Sequence, residues 1–164
     1  MVKIKNNPFY IQIFILIGVF LFSTIVGIYS GYNFHFQSLT NIQSNNVGLH
    51  GILAYFLHNG LLLLLPLASV FLIGIIAPVF LISQAIVIGI FIGVSLYNGL
   101  SIVDILIRIS HGMFEIPAMI LATWIGTFYT FKYDESIIIF WNKIRKKVLI
   151  TYLLIGTAAI YESF

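Results

Sequence analysis

Apolar segments of membrane-spanning length dominate this sequence. The stretch from residue 60 to residue 96 contains no charged side chain, and the whole chain is 60% hydrophobic and 8% charged. A soluble domain has about 25% charged residues. About 20 apolar residues are enough for a helix to cross a bilayer, and a helix satisfies its own backbone polar groups there. The sequence therefore predicts an all-α, polytopic membrane protein that forms a single membrane domain over residues 1–164.

Hydrophobic runs and turn signals divide the chain into about five transmembrane helices. Pro78, followed by Ser83 and Gln84, indicates a tight turn within the long uncharged stretch. The first run is too long for the core of a signal peptide, so we expect it to be retained. The predicted spans are residues 9–30, 60–77, 79–97, 110–131 and 148–164, with a polar external loop at 31–49 and a basic cytoplasmic linker at 132–147.

The basic residues predict the orientation of these spans. Basic loops favour the cytoplasmic side of a membrane. With Lys3, Lys5 and the 132–147 linker in the cytoplasm, five spans leave only Arg108 outside. We therefore expect a multi-pass protein of the cell membrane with a cytoplasmic N-terminus and an external C-terminus. The linker is expected to lie along the inner surface as a short amphipathic helix.

Missing motifs argue against several classes of function. The chain has no cysteine, which excludes disulfides, thiol catalysis and cysteine-ligated metals. It has neither an HExxH zinc-protease motif nor a GxSxG hydrolase elbow. We therefore expect no catalytic residue, no cofactor and no enzymatic activity. The net charge of +3 arises almost entirely beside membrane segments, so no nucleic-acid partner is expected.

The fourth predicted span begins with ionisable residues, which are costly in lipid and therefore point to function. His111 and Glu115 are four residues apart and share a helix face. If the helix starts early enough, Asp104 and Arg108 extend the same stripe, and Arg108 is then the expected partner of Glu115. Further residues of interest are Gly112, where another backbone can approach closely, and Pro117, where the helix is expected to kink.

Other polar residues are predicted to lie at the same depth, near the outer leaflet. His58 and Asn59 open the second span, Asn98 closes the third, and Glu162 ends the fifth. This shared level is consistent with a polar clasp between helices or with an outward-facing pocket for a partner. A metal bound by His111 and Glu115 would need a third ligand, such as His58 or Glu162, which the sequence does not position. No metal site is predicted.

In these residues the chain resembles the stage II sporulation protein M family of integral membrane proteins. The resemblance covers about residue 54 to the C-terminus. It is carried by His58-Asn59, Asn98-Gly99, the signature His111-Gly112-x-x-Glu115-x-Pro117-Ala118, Gly126 downstream, and the final Ala158-Ala159-Ile160-Tyr161-Glu162. The resemblance implies a small multi-span protein without recognised catalytic activity. The sporulation member works with cell-wall hydrolases during engulfment, and other members contribute to immunity in circular-bacteriocin gene sets.

We therefore expect a non-enzymatic membrane scaffold or accessory, acting in cell-wall remodelling or bacteriocin immunity through the polar cluster near the outer leaflet. Its expected partners are the lipid bilayer and either another membrane protein or a second copy of the chain. The alternative is a small transporter or channel subunit, because ion paths use ionisable groups inside the membrane.

Overall fold

Helices account for nearly all of the structure. The computed structural model describes residues 8–33, 49–72, 74–110, 112–129 and 136–163, and no strand occurs among them. The elements are α1 (Pro8–Asn33), α2 (Leu49–Ala68), a 3₁₀ turn (Ser69–Phe71), α3 (Ile76–Tyr97), α4 (Ile102–Arg108), α5 (Gly112–Phe128) and α6 (Ile137–Glu162). The predicted all-α polytopic membrane fold is confirmed.

Three helices within the described ranges are long and apolar enough to cross a membrane on their own. These are α1, α2 together with its 3₁₀ turn, and α3. The short α4 and α5 meet at a bend of 60° and make a fourth crossing if the pair is one span. The last helix, α6, does not belong to this set because it carries four basic residues between Lys143 and Lys147. The predicted fifth span is therefore part of a longer, mixed helix.

The boundary between the second and third spans differs from the prediction. The helix α2 begins at Leu49, well before the predicted start at Gly60, and the turn precedes Ile76 instead of falling at Pro78. Gly74 makes this turn with φ of 75°, a conformation that side chains disfavour. Pro78 lies in the first turn of α3, where the backbone N–H that proline lacks has no intrahelical partner anyway.

Two pairs of glycines bring α1 and α3 into close parallel contact. Gly27 and Gly31 on α1 face Gly89 and Gly93 on α3, and all four are buried. A Cβ atom at Gly93 would lie 2.3 Å from the carbonyl oxygen of Ile28. Small residues four apart let helix backbones approach in this way. This contact was not predicted from the sequence, and Gly31 lies just beyond the predicted end of the first span at residue 30.

The predicted linker helix and the predicted fifth span form one continuous helix, α6. It runs antiparallel to α5 along the whole length of that helix. At one end, the Lys147 ammonium lies 5.1 Å from the ring centre of Tyr129, and at the other the rings of Tyr161 and Phe114 are 6.4 Å apart. Ten residues of α6 precede Lys147 and extend past the end of α5. Residues 132–135 of the linker and 34–48 of the external loop lie outside the described residues.

Candidate functional site

A hydrogen bond between two polar side chains joins α2 to α5 inside the helix bundle. The Asn59 side-chain amide donates to the Glu115 carboxylate, and both residues are partly buried. Asn59 lies ten residues after the start of α2, about 15 Å along its axis. This places the contact in the middle of α2 and not at an outer end. The two residues were both predicted site residues, and the structure brings them together.

A small chamber surrounds this hydrogen bond. It has a volume of about 90 Å³, enough to hold water. Gln84, in the middle of α3, adds a second amide to the wall. The remaining walls are apolar and come from four helices: Leu62, Leu63, Phe80, Ile88, Met119 and Ile155. The chamber is thus a partly open pocket with one carboxylate and two amides among hydrocarbon side chains.

Glu115 owes its position to the start of α5. It lies in the first turn of that helix, where the unpaired N–H groups and the helix dipole favour a negative charge. Pro117 follows two residues later on an exposed face and leaves the Met113 carbonyl without its usual helical donor. Gly112 is buried, but a Cβ atom added to it would approach only the Ile116 side chain, at 3.4 Å. The close backbone approach expected there occurs instead at Gly126, which packs against the Pro66 carbonyl.

The single charged stripe predicted from Asp104 to Glu115 is wrong, because the helix does not start that early. The carbonyl of Ile107 accepts bonds from both the backbone N–H and the hydroxyl of Ser110. These bonds use the acceptor that a continuing helix would need. Arg108 therefore ends α4, is exposed, and forms no ion pair with any residue that the structure describes. Asp104 instead bonds to Ser101, which caps α4.

The other predicted site residues do not share one depth. His58 is exposed on α2, and Asn98 is exposed in the turn after α3, where Gly99 has φ of 77°. Glu162 lies in the last turn of α6, next to Tyr161 and so near the start of α5. His111 lies outside the described residues. The prediction of a common level near the outer leaflet assumed that α2 begins close to His58. In the structure α2 begins at Leu49, so His58 and Asn59 lie in its middle.

Two further polar contacts were missed by the sequence reasoning. The Trp124 indole N–H donates to the Gln12 side chain at 2.9 Å, joining α5 to α1. The Tyr152 hydroxyl donates to the Gly60 carbonyl at 3.3 Å, joining α6 to α2. Gln84 was also interpreted only as a turn signal. The position of Gln84 in an uncharged apolar stretch could have predicted its place in the chamber wall. Polar side chains within transmembrane segments usually face other helices.

The chemistry that this arrangement allows is limited. The chamber can hold water, exchange a proton at Glu115, or present oxygen atoms to a small cation. Among the described residues there is no group of three or more histidine, aspartate or glutamate side chains that could hold a metal ion. The chamber itself contains no hydroxyl, thiol or imidazole among its lining residues.

Comparisons with known proteins give one match. A family model described as "Stage II sporulation protein M" matches residues 12–164. No curated protein and no solved structure matches the chain.

Proposed function

Because this chain belongs to the stage II sporulation protein M family, we propose that it is a non-enzymatic membrane component that acts as a scaffold or accessory for a membrane partner. The resemblance to family members suggests a role in cell-wall remodelling or bacteriocin immunity. In this proposal the hydrogen bond between Asn59 and Glu115 holds the helix bundle in the shape that the partner recognises.

The Asn59–Glu115 hydrogen bond is the observation that carries this proposal. It joins two helices inside the bundle, where lipid offers no alternative partner for either group. The surrounding chamber of about 90 Å³ is well below the roughly 300–1,000 Å³ of typical small-molecule sites. A carboxylate engaged by an amide in so small a space suits a clasp between helices better than a substrate site.

We propose the orientation with the N-terminus in the cytoplasm and the C-terminus outside. Five crossings are needed, and the contacts of α6 support the fifth. Between Lys147 and Tyr161 the helix accompanies α5 from end to end, so it crosses wherever α5 does. Lys147 then lies at the cytoplasmic boundary, as basic residues prefer.

A small transporter or channel subunit is the second candidate. The observation in its favour is an ionisable side chain, Glu115, facing two amides inside a membrane protein. Such groups occur in ion and proton paths. This candidate requires that the protein alone moves an ion, whereas the scaffold requires a second protein.

Purification from native membranes followed by reconstitution distinguishes the two candidates. We expect the tagged protein to co-purify with the product of a neighbouring gene, such as a wall hydrolase or a bacteriocin component. Liposomes containing the protein alone should show no flux of protons or monovalent cations above that of empty liposomes. A flux that Glu115→Gln abolishes and Met113→Ala preserves would favour the transporter and overturn the scaffold. Met113 is the matched control because its side chain is exposed in the same turn.

A further inference from the structure

A wide apolar groove runs between the end of α2 and the first half of α6. Its volume is about 850 Å³. Phe140 is buried beneath it and packs its ring 6.3 Å from that of Phe71. Trp141 on its wall is 52% exposed. Six of the lining side chains define its two sides: Leu64, Leu67 and Phe71 from α2 and its 3₁₀ turn, and Ile137, Trp141 and Ile144 from α6.

The residues that line the groove are all uncharged, but helical spacing places one basic residue beside them. From Ser136 to Tyr161 the chain has four basic residues and no acidic one. Arg145 is four residues after Trp141, which places it about 40° from Trp141 around the helix and next to the lining residues. Lys146 is about 140° from Trp141, and Lys147 is directed to the rings of Trp124 on α5 and of Tyr129 just after it. Arg145 is therefore the basic residue best placed to meet an occupant of the groove.

The groove and its cation define the chemistry of that occupant, which needs a long apolar part and an anionic end. We propose that the groove binds an anionic phospholipid, with the headgroup phosphate at Arg145 and an acyl chain that runs into the membrane beside Leu64, Val148 and Tyr152. Arginine suits a phosphate because its planar fork donates two parallel hydrogen bonds. Basic pockets beside membrane helices bind anionic headgroups in this way. An exposed tryptophan at the same level is typical of the boundary between headgroups and hydrocarbon.

A second copy of the chain fits this surface less well. In a two-fold symmetric dimer the same patch meets itself, which brings Arg145 of one copy towards Arg145 of the other. Like charges at such short range disfavour association. An anionic lipid neutralises the same residues and also covers the apolar side chains.

Fluorescence quenching of Trp141 by brominated lipids tests this proposal. The protein is reconstituted in mixtures containing phosphatidylglycerol or phosphatidylcholine brominated in the acyl chains. The variant Trp141→Phe retains only the buried Trp124 and supplies the background to subtract. We expect the site's affinity for brominated phosphatidylglycerol to be about five-fold higher than for brominated phosphatidylcholine. One basic residue at an anionic surface contributes about 1 kcal/mol, which corresponds to this ratio.

Charge variants identify the binding residue. Arg145→Gln should reduce the preference for phosphatidylglycerol to nearly one, whereas the matched change Lys146→Gln, on the other side of the helix, should leave most of it. Both residues are exposed, and a monodisperse elution profile verifies folding. Equal quenching by the two lipids would overturn the proposal. An equal loss of the lipid preference in both variants would indicate an effect of diffuse surface charge. Trp141 fluorescence that no brominated lipid quenches would indicate that a protein fills the groove. Either result would contradict a phospholipid site.

Discussion

Contact between α1 and α3 allows a quantitative test of the fold through the variant Gly89→Ala. A Cβ atom at Gly89 would lie 2.2 Å from the carbonyl oxygen of Thr24 and 2.9 Å from the Cα atom of Gly27. Ordinary van der Waals contact begins at 3.4 Å, so the helices must separate by about 1.2 Å (3.4 − 2.2) at this level. Both obstructing atoms belong to the backbone, so no side chain can rotate away.

The expected loss follows from two opposing contributions. Over-packing costs about 1–3 kcal/mol, and a rigid backbone obstruction belongs at the upper end of that range. Alanine recovers up to about 1 kcal/mol relative to glycine through its higher helix propensity. We therefore expect Gly89→Ala to lower the free energy of unfolding by about 2 kcal/mol. Gly18→Ala is the matched control on α1, because nothing lies within 4 Å of a Cβ there, and it should leave stability unchanged or slightly higher.

Unfolding by SDS in mixed micelles, followed by circular dichroism, measures both variants. A loss at Gly89 with no loss at Gly18 supports the close parallel packing of α1 and α3. Stability unchanged by Gly89→Ala, or lowered equally by both substitutions, would refute it.

Three further predictions concern the site and the topology. Glu115→Ala should destabilise the protein more than Glu115→Gln in the same unfolding assay, because the methyl group leaves the Asn59 amide unpaired; equal losses would instead indicate a need for the charge. Arg108→Gln should change the unfolding free energy by less than about 0.5 kcal/mol, since Arg108 is exposed; a larger loss would reveal a partner. A reporter active only in the cytoplasm should be silent when fused after Phe164, and a strong signal would show that α6 does not cross.

Composition and hydrophobic runs were sufficient to predict the membrane fold, because burial in lipid imposes long apolar helices. Boundaries were harder to predict. The residues before Gly60 include His50, Tyr55, His58 and Asn59, so their apolar character is weaker than that of the following leucines. The structure nevertheless continues α2 through these residues to its start at Leu49.

The same limit applies to the candidate site. Asn59 and Glu115 were identified because ionisable and amide groups are rare in membrane segments. Their pairing depends on how α2 and α5 are placed relative to one another, which periodicity does not encode. The expected ion pair of Arg108 failed for a local reason: the bonds of Ser110 to Ile107 end α4 before it can align with α5.

A double-mutant cycle between Asn59 and Glu115 tests most directly whether a polar clasp joins α2 to α5. Interhelical hydrogen bonds in membranes contribute about 0.6 kcal/mol on average and up to about 1.7 kcal/mol, and a charged acceptor strengthens them. The cycle compares Asn59→Ala, Glu115→Ala and the double variant by SDS unfolding. We expect a coupling free energy of about 1 kcal/mol between the two side chains. Losses that add to within about 0.3 kcal/mol would contradict the clasp.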